Sequence, residues 1–147
     1  MAKNTQTKQL NTVMLIDDNF IDNFVHKKLL TSMKMANNFL EFTKVEDAIA
    51  YIKVFNCFSS KPTENFIDLI FLDINMSIMD GWDFLESFKI ICNNTKPKTI
   101  IIVLSSSTNK DDMERAGNEV FLSGFIQKPL TLEKLSSCLA SIRILKS

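Results

Sequence analysis

The chain has little of what sulfur, zinc or nucleic-acid chemistry requires. Its three cysteines, Cys57, Cys92 and Cys138, are odd in number and widely spaced, and they accompany a single histidine, His26. That excludes a disulfide framework and a thiolate-imidazole zinc site, and fits a reducing compartment. There is no excess of either charge: Lys+Arg and Asp+Glu are both 17. No global field is therefore available to hold nucleic acid or an anionic membrane surface. Long hydrophobic runs are missing too. The most aliphatic stretch, residues 100–104, is far shorter than a membrane span, and the polar residues 1–11 lack the apolar segment of a secretory signal. These absences predict a cytoplasmic protein that uses neither nucleic acid nor membrane and binds through local sites.

What is present suits one globular domain. The 147 residues are 46% hydrophobic and 23% charged, within the ordinary globular range. Residues 1–11 read as a polar leader and residues 12–147 as the domain, a lone module whose last helix runs to the end of the sequence. Apolar runs of strand length at 12–16, 39–43, 67–72, 99–104 and 124–127 alternate with stretches of helical spacing. Those stretches are 20–33, 45–55, a third beginning at Asp80-Gly81 and presenting Trp82, Leu85 and Phe88, a short charged 111–116, and a last carrying Leu132, Leu135, Leu139, Ile142 and Leu145. Residues 57–65 read as a loop. Five β-α units of this kind predict an α/β fold: a doubly wound, five-stranded parallel sheet with right-handed crossovers and helices on both faces.

Four of these strands end in reactive groups: Asp17-Asp18, Asp73, Ser105 and Lys128-Pro129. A parallel sheet gathers the carboxyl ends of its strands at one edge, so these groups are expected to share one pocket. Crowded carboxylates raise one another's pKa and call for a cation, and a hard divalent ion with oxygen ligands suits them best. Three ionised Asp side chains carry about −3, which one Mg²⁺ and the Lys128 ammonium bring to about zero. Such a near-neutral socket is suited to a phosphoryl group, with Asp73 as nucleophile.

In the order and spacing of these groups, including Met79-Asp80-Gly81 after Asp73, the chain resembles the CheY-like receiver domains of two-component response regulators. The resemblance covers residues 13 to the end and implies the flavodoxin-like (βα)5 strand order 2-1-3-4-5. It implies Asp73 as phosphoacceptor, Asp18 as direct Mg²⁺ ligand, Asp17 acting through water, and the Asn75 backbone carbonyl as a further ligand, with Mn²⁺ as a possible substitute ion. It also implies Ser105 as the hydroxyl of the switch, Phe125 as its aromatic partner, Lys128 as the phosphate-contacting lysine, a cis Lys128-Pro129 bond, and an influence of Asn75 and Ser107 on phosphoryl lifetime. The implied partners are a sensor histidine kinase or histidine phosphotransfer protein as donor, and a downstream target on the fourth helix, fifth strand and fifth helix. The protein is then a monomer or weak dimer and a phosphoacceptor switch, not an enzyme with turnover. The family usually has proline where this chain has Ser77.

Singly, each signal has a plainer reading. Asp17-Asp18 would cap a helix, Asp73 end a strand, Asp80-Gly81 form a turn, Ser105 belong to a capping loop, and Lys128 be a surface lysine. His26, beside Lys27 and Lys28, reads as an exposed histidine. The methionines and phenylalanines read as packing, Trp82 as an anchor of the third helix and a reporter of the Asp73 site, and residues 110–115 as a solvated helix face. Rival functions are a pseudo-receiver working through protein contacts alone, a flavodoxin-like cofactor binder, whose phosphate Asp17-Asp18 would repel, and a small-molecule phosphatase.

Overall fold

A computed structural model describes residues 9–55 and 66–142. Along the chain run β1 (Leu10–Ile16), α1 (Phe20–Ser32), β2 (Ala36–Phe42), α2 (Val45–Phe55) and β3 (Leu69–Leu72). They are followed by α3 (Gly81–Ile91), β4 (Ile100–Ser105), α4 (Lys110–Asn118), β5 (Gly124–Gln127) and α5 (Leu132–Ile142). All four strand pairings are parallel, in the order β2-β1-β3-β4-β5. The expected doubly wound sheet and its strand order are both observed.

The period-2 alternation of a strand divides the sheet's side chains between two cores. Met14, Ile16, Ile70, Leu72, Ile101 and Val103 pack with Ile49 and Ile52 of α2 and with Trp82, Phe84, Leu85 and Phe88 of α3. Val13, Leu15, Leu69, Phe71, Ile102 and Leu104 pack on the opposite face with Leu30 of α1 and with Leu135 and Leu139 of α5. Covered on both faces, β3 and β4 have no polar alternation, as central parallel strands require. Side chains start the helices: Asn19 caps α1, Asp80 and Asp83 form a capping box at α3, and Asn109 caps α4.

Several boundaries depart from the sequence pattern. β1 begins at Leu10, where Leu10 N–H donates to the Met35 carbonyl at 2.9 Å. β2 spans Ala36–Phe42 and includes exposed Asn37 and Asn38, because an edge strand needs only backbone partners on one side. β3 is shorter than 67–72, β4 extends to Ser105, and α4 exceeds 111–116 at both ends. Cys57 with the whole of its loop, the first eight residues of the leader, and Leu145 lie outside the described residues.

The largest correction concerns α1. Phe20, Ile21, Phe24 and Val25 are each more than half exposed, whereas Asn23, His26 and Leu30 are buried. His26, read as a surface residue, is only 5% exposed. Burial lowers its pKa from the ordinary 6.5, and Lys128 adds repulsion. The helix is turned this way because Asn23 donates from Nδ2 to the carbonyls of Asp17 and Phe42, both at 3.2 Å. Hydrogen-bonding the ends of β1 and β2 outweighs hiding the apolar stripe. Among the described residues no helix is long and apolar enough to cross a membrane.

Candidate functional site

Backbone ladders carry the acidic residues to the sheet edge. Asp17 N–H donates to Phe42 O at 3.1 Å, Asp73 N–H to Ile16 O at 2.9 Å, and Lys128 N–H to Ser105 O at 2.8 Å. Ile16 and Leu72 are register partners, so the residues that follow them, Asp17 and Asp73, emerge side by side. Asp17 and Asp73 are buried and Asp18 is exposed, and one carboxylate oxygen from each lies within 4.8 Å of the others.

Lys128 reaches this cluster from the end of β5. Its Nζ lies 2.6 Å from Asp17 Oδ2, 2.8 Å from Asp22 Oδ2 and 3.8 Å from Asp73 Oδ2. Burial pulls its pKa down, but the hydrogen bonds to Asp17 and Asp22 and the carboxylate charges outweigh it, so the net direction is upward. Asp73 is pushed up to about 6 by burial, and the Asp17 charge pushes the same way. The Asn75 N–H, donating to Asp73 Oδ1 at 3.1 Å, opposes both. The Lys128-Pro129 bond is cis.

Around this centre the loops are tied by side chains. Asn75 Nδ2 donates to Ser105 Oγ at 2.9 Å, and the Ser107 N–H donates to the same oxygen at 3.0 Å. Ser105 is fully buried. Asp18 Oδ2 accepts from the Ser77 N–H at 3.2 Å and from its hydroxyl at 3.4 Å, two donors that a proline there would lack. Gly81 is needed for close approach: a Cβ on it would stand 2.6 Å from Asp73 O and 2.7 Å from Ile74 Cα. Only glycine lets α3 start against the end of β3. Trp82, next in sequence, is 9% exposed in the core, with the Arg115 guanidinium 4.0 Å over its ring.

The structure thus brings together Asp17, Asp18, Asp73 and Lys128, with Asn75 bonded both to Asp73 and to the buried Ser105. Phe125 is half-buried on β5 opposite Val103, packed against the core on the α2 and α3 side of the sheet. Sequence reasoning missed Asp22 and Asn23. The available signal was their place in the first turns of the helix that follows the acidic pair. An all-carboxylate donor set of this size fits a hard, oxygen-seeking divalent ion, and the raised pKa of Asp73 reflects burial first and the neighbouring Asp17 charge second, with Lys128 offsetting part of it.

Three comparisons bear on this geometry. The family described as "Response regulator receiver domain" matches residues 13–140. The autoinducer 1 sensor kinase/phosphatase LuxN of Vibrio campbellii is 25% identical over 142 residues, covering 96% of this chain. The chain spans only 15% of that relative's length. Among solved structures, a two-component response regulator from Cytophaga hutchinsonii superposes with a TM-score of 0.80 at 25% identity, covering 92% of this chain and 98% of that one. The receiver domain of the histidine kinase CKI1 from Arabidopsis thaliana, complexed with Mg²⁺ and BeF₃⁻, superposes with a TM-score of 0.72 at 21% identity, covering 90% and 89%.

Proposed function

The chain belongs to the response regulator receiver domain family, and on that premise we propose that it is a phosphorylatable switch whose acceptor is Asp73. The observation that carries the reading is the grouping of Asp17, Asp18, Asp73 and Lys128 at one sheet edge. Asp18, Asp73 and the Asn75 carbonyl would hold Mg²⁺, or Mn²⁺ in its place, with Asp17 helping through water. Bound there, the ion supplies charge neutralisation and a template for the phosphoryl oxygens.

Asp73 attacks phosphorus with a carboxylate oxygen. The P–N bond of a donor phosphohistidine protonated on its other ring nitrogen breaks, a P–O bond to Asp73 forms, and the bond's electron pair stays on the donor, which leaves as neutral imidazole. Asn75 N–H orients the carboxylate, Lys128 faces the added negative charge, and water has little access because Asp73 is 5% exposed. Ser105 gives up Asn75 to meet the phosphoryl oxygens, and Phe125 follows it. This shifts the population at the α4-β5-α5 surface, where a target protein binds. The apolar outer face of α1 flanks the site on the other side, where a protein carrying the phosphohistidine would rest. No turnover of a free substrate is part of this role, and the protein works as a monomer or weak dimer in the cytoplasm.

Acetyl phosphate with Mg²⁺ should give the wild-type protein an acid-stable, base-labile phosphoryl label and give Asp73→Asn none. A label of equal rate on Asp73→Asn would remove the assignment. A protein that never labels, with or without a donor, is a contact-only module.

A further inference from the structure

Lys128 has three N–H donors, and in this structure two are directed at Asp17 and Asp22 rather than at Asp73. Asp22 is anchored through its backbone. It sits in the first turn of α1, where the helix dipole favours an anion, and its backbone N–H donates to Asn19 Oδ1 at 3.2 Å. The two partners of Lys128 differ in solvation, for the side chain of Asp17 is 4% exposed and that of Asp22 36%. Taking the ammonium from Asp17 would leave a buried charge uncompensated, which is costly, whereas Asp22 rehydrates when released. Asp22 is therefore the partner that Lys128 can exchange.

We propose that Asp22 is a positioning residue that restrains Lys128 in the resting site, and that Lys128 swaps Asp22 for a phosphoryl oxygen on Asp73 while keeping Asp17. The inference rests on Asp73 being the phosphoacceptor. Asp22 has two effects of opposite sign. As a fourth carboxylate it takes the ionised cluster, Lys128 included, from about −2 to about −3, which attracts a divalent cation. The same charge repels a phosphoryl group and competes with it for the ammonium. Asp22 thus favours metal loading and opposes the phosphorylated arrangement.

The opposite signs give a test that mere loosening of the fold cannot imitate. Mg²⁺ binding to the full chain is measured by calorimetry. Binding of beryllofluoride, a phosphoryl mimic, is measured by ¹⁹F NMR at saturating Mg²⁺. In Asp22→Asn, Mg²⁺ should bind roughly twofold to fivefold more weakly and beryllofluoride tighter by a similar factor, the size expected of a partly exposed ion pair. Asp22→Ser should repeat both shifts, and Asp22→Glu, which keeps the charge, should return both toward wild type. If both ligands weaken together, or beryllofluoride binding is unchanged, the restraint is overturned while the phosphoacceptor reading stands. If wild type and Asp73→Asn bind beryllofluoride alike, the phosphoacceptor reading falls and takes the restraint with it.

Discussion

Helices α1 and α3 begin alike and pack oppositely. Each comes after a strand whose next residue is aspartate, and each is started by a side-chain cap, Asn19 for α1 and Asp80 for α3. α3 then buries Trp82, Phe84, Leu85 and Phe88, as an amphipathic helix should. α1 buries Asn23 and His26 ahead of Leu30 and turns Phe20, Ile21, Phe24 and Val25 to solvent. The difference lies in what each helix must satisfy. α3 faces a hydrocarbon core, whereas the first turns of α1 face the carbonyls of Asp17 and Phe42 and a lysine ammonium. Where buried polar groups need partners, hydrogen bonds set the phase of a helix, and apolar burial yields.

The most severe way to break this contrast is to truncate the core face of α3. Phe88→Ala should cost about 3–5 kcal/mol of unfolding free energy in a urea titration. Phe24→Ser on α1 should cost no more than about 0.5 kcal/mol. Comparable losses would mean that the outer face of α1 is packed after all. Phe24→Ser should still slow labelling by a phosphorylated histidine phosphotransfer domain that is active on the wild type, while leaving labelling by acetyl phosphate unchanged.

Removing charge from the notch tests why α1 is polar inside. The folded pKa of Asp73 is raised from 3.8 to about 6, so its native-state contribution is most favourable below pH 3.8 and is lost as pH rises through 6. In metal-free buffer above pH 6, Asp73→Asn should therefore stabilise the protein by on the order of 1–3 kcal/mol. The gain should fade toward pH 4 and shrink on adding Mg²⁺. A uniform effect across pH, followed by thermal unfolding, would place the strain elsewhere.

On the polar face, Asn23→Ala leaves the carbonyls of Asp17 and Phe42 without their Nδ2 donor and should cost about 1–3 kcal/mol. The smallest expected effect belongs to His26. Its folded pKa is lowered from 6.5, so the unfolded chain takes up the proton first, and stability is retained above pH 6.5 and lost as pH falls below it. Because Asp73 slopes the other way, this loss is best read in the Asp73→Asn background. There His26→Gln should flatten it.

Most of the candidate site could be read in the sequence because parallel strands deliver their carboxyl ends to one edge. Asp17, Asp18, Asp73 and Lys128 needed only the strand pattern and order to be placed together. Asp22 and Asn23 could not be found so, since their roles depend on the rotation of α1, which helical spacing alone does not set. Ser77 stood out as a departure from proline, yet its two donations to Asp18 depend on how the loop folds back.

The sequence by itself determined the five β-α units, the parallel sheet and the strand ends that bear charge, because these follow from local periodicity and from hydrogen-bonding rules that hold whatever the partners are. Only the tertiary structure decided that His26 is buried, that Lys128 is shared between Asp17 and Asp22, and that Asn75 reaches Ser105. These contacts join residues distant along the chain, and which of several polar groups a lysine or an amide finds is settled by ångström differences that no spacing rule encodes.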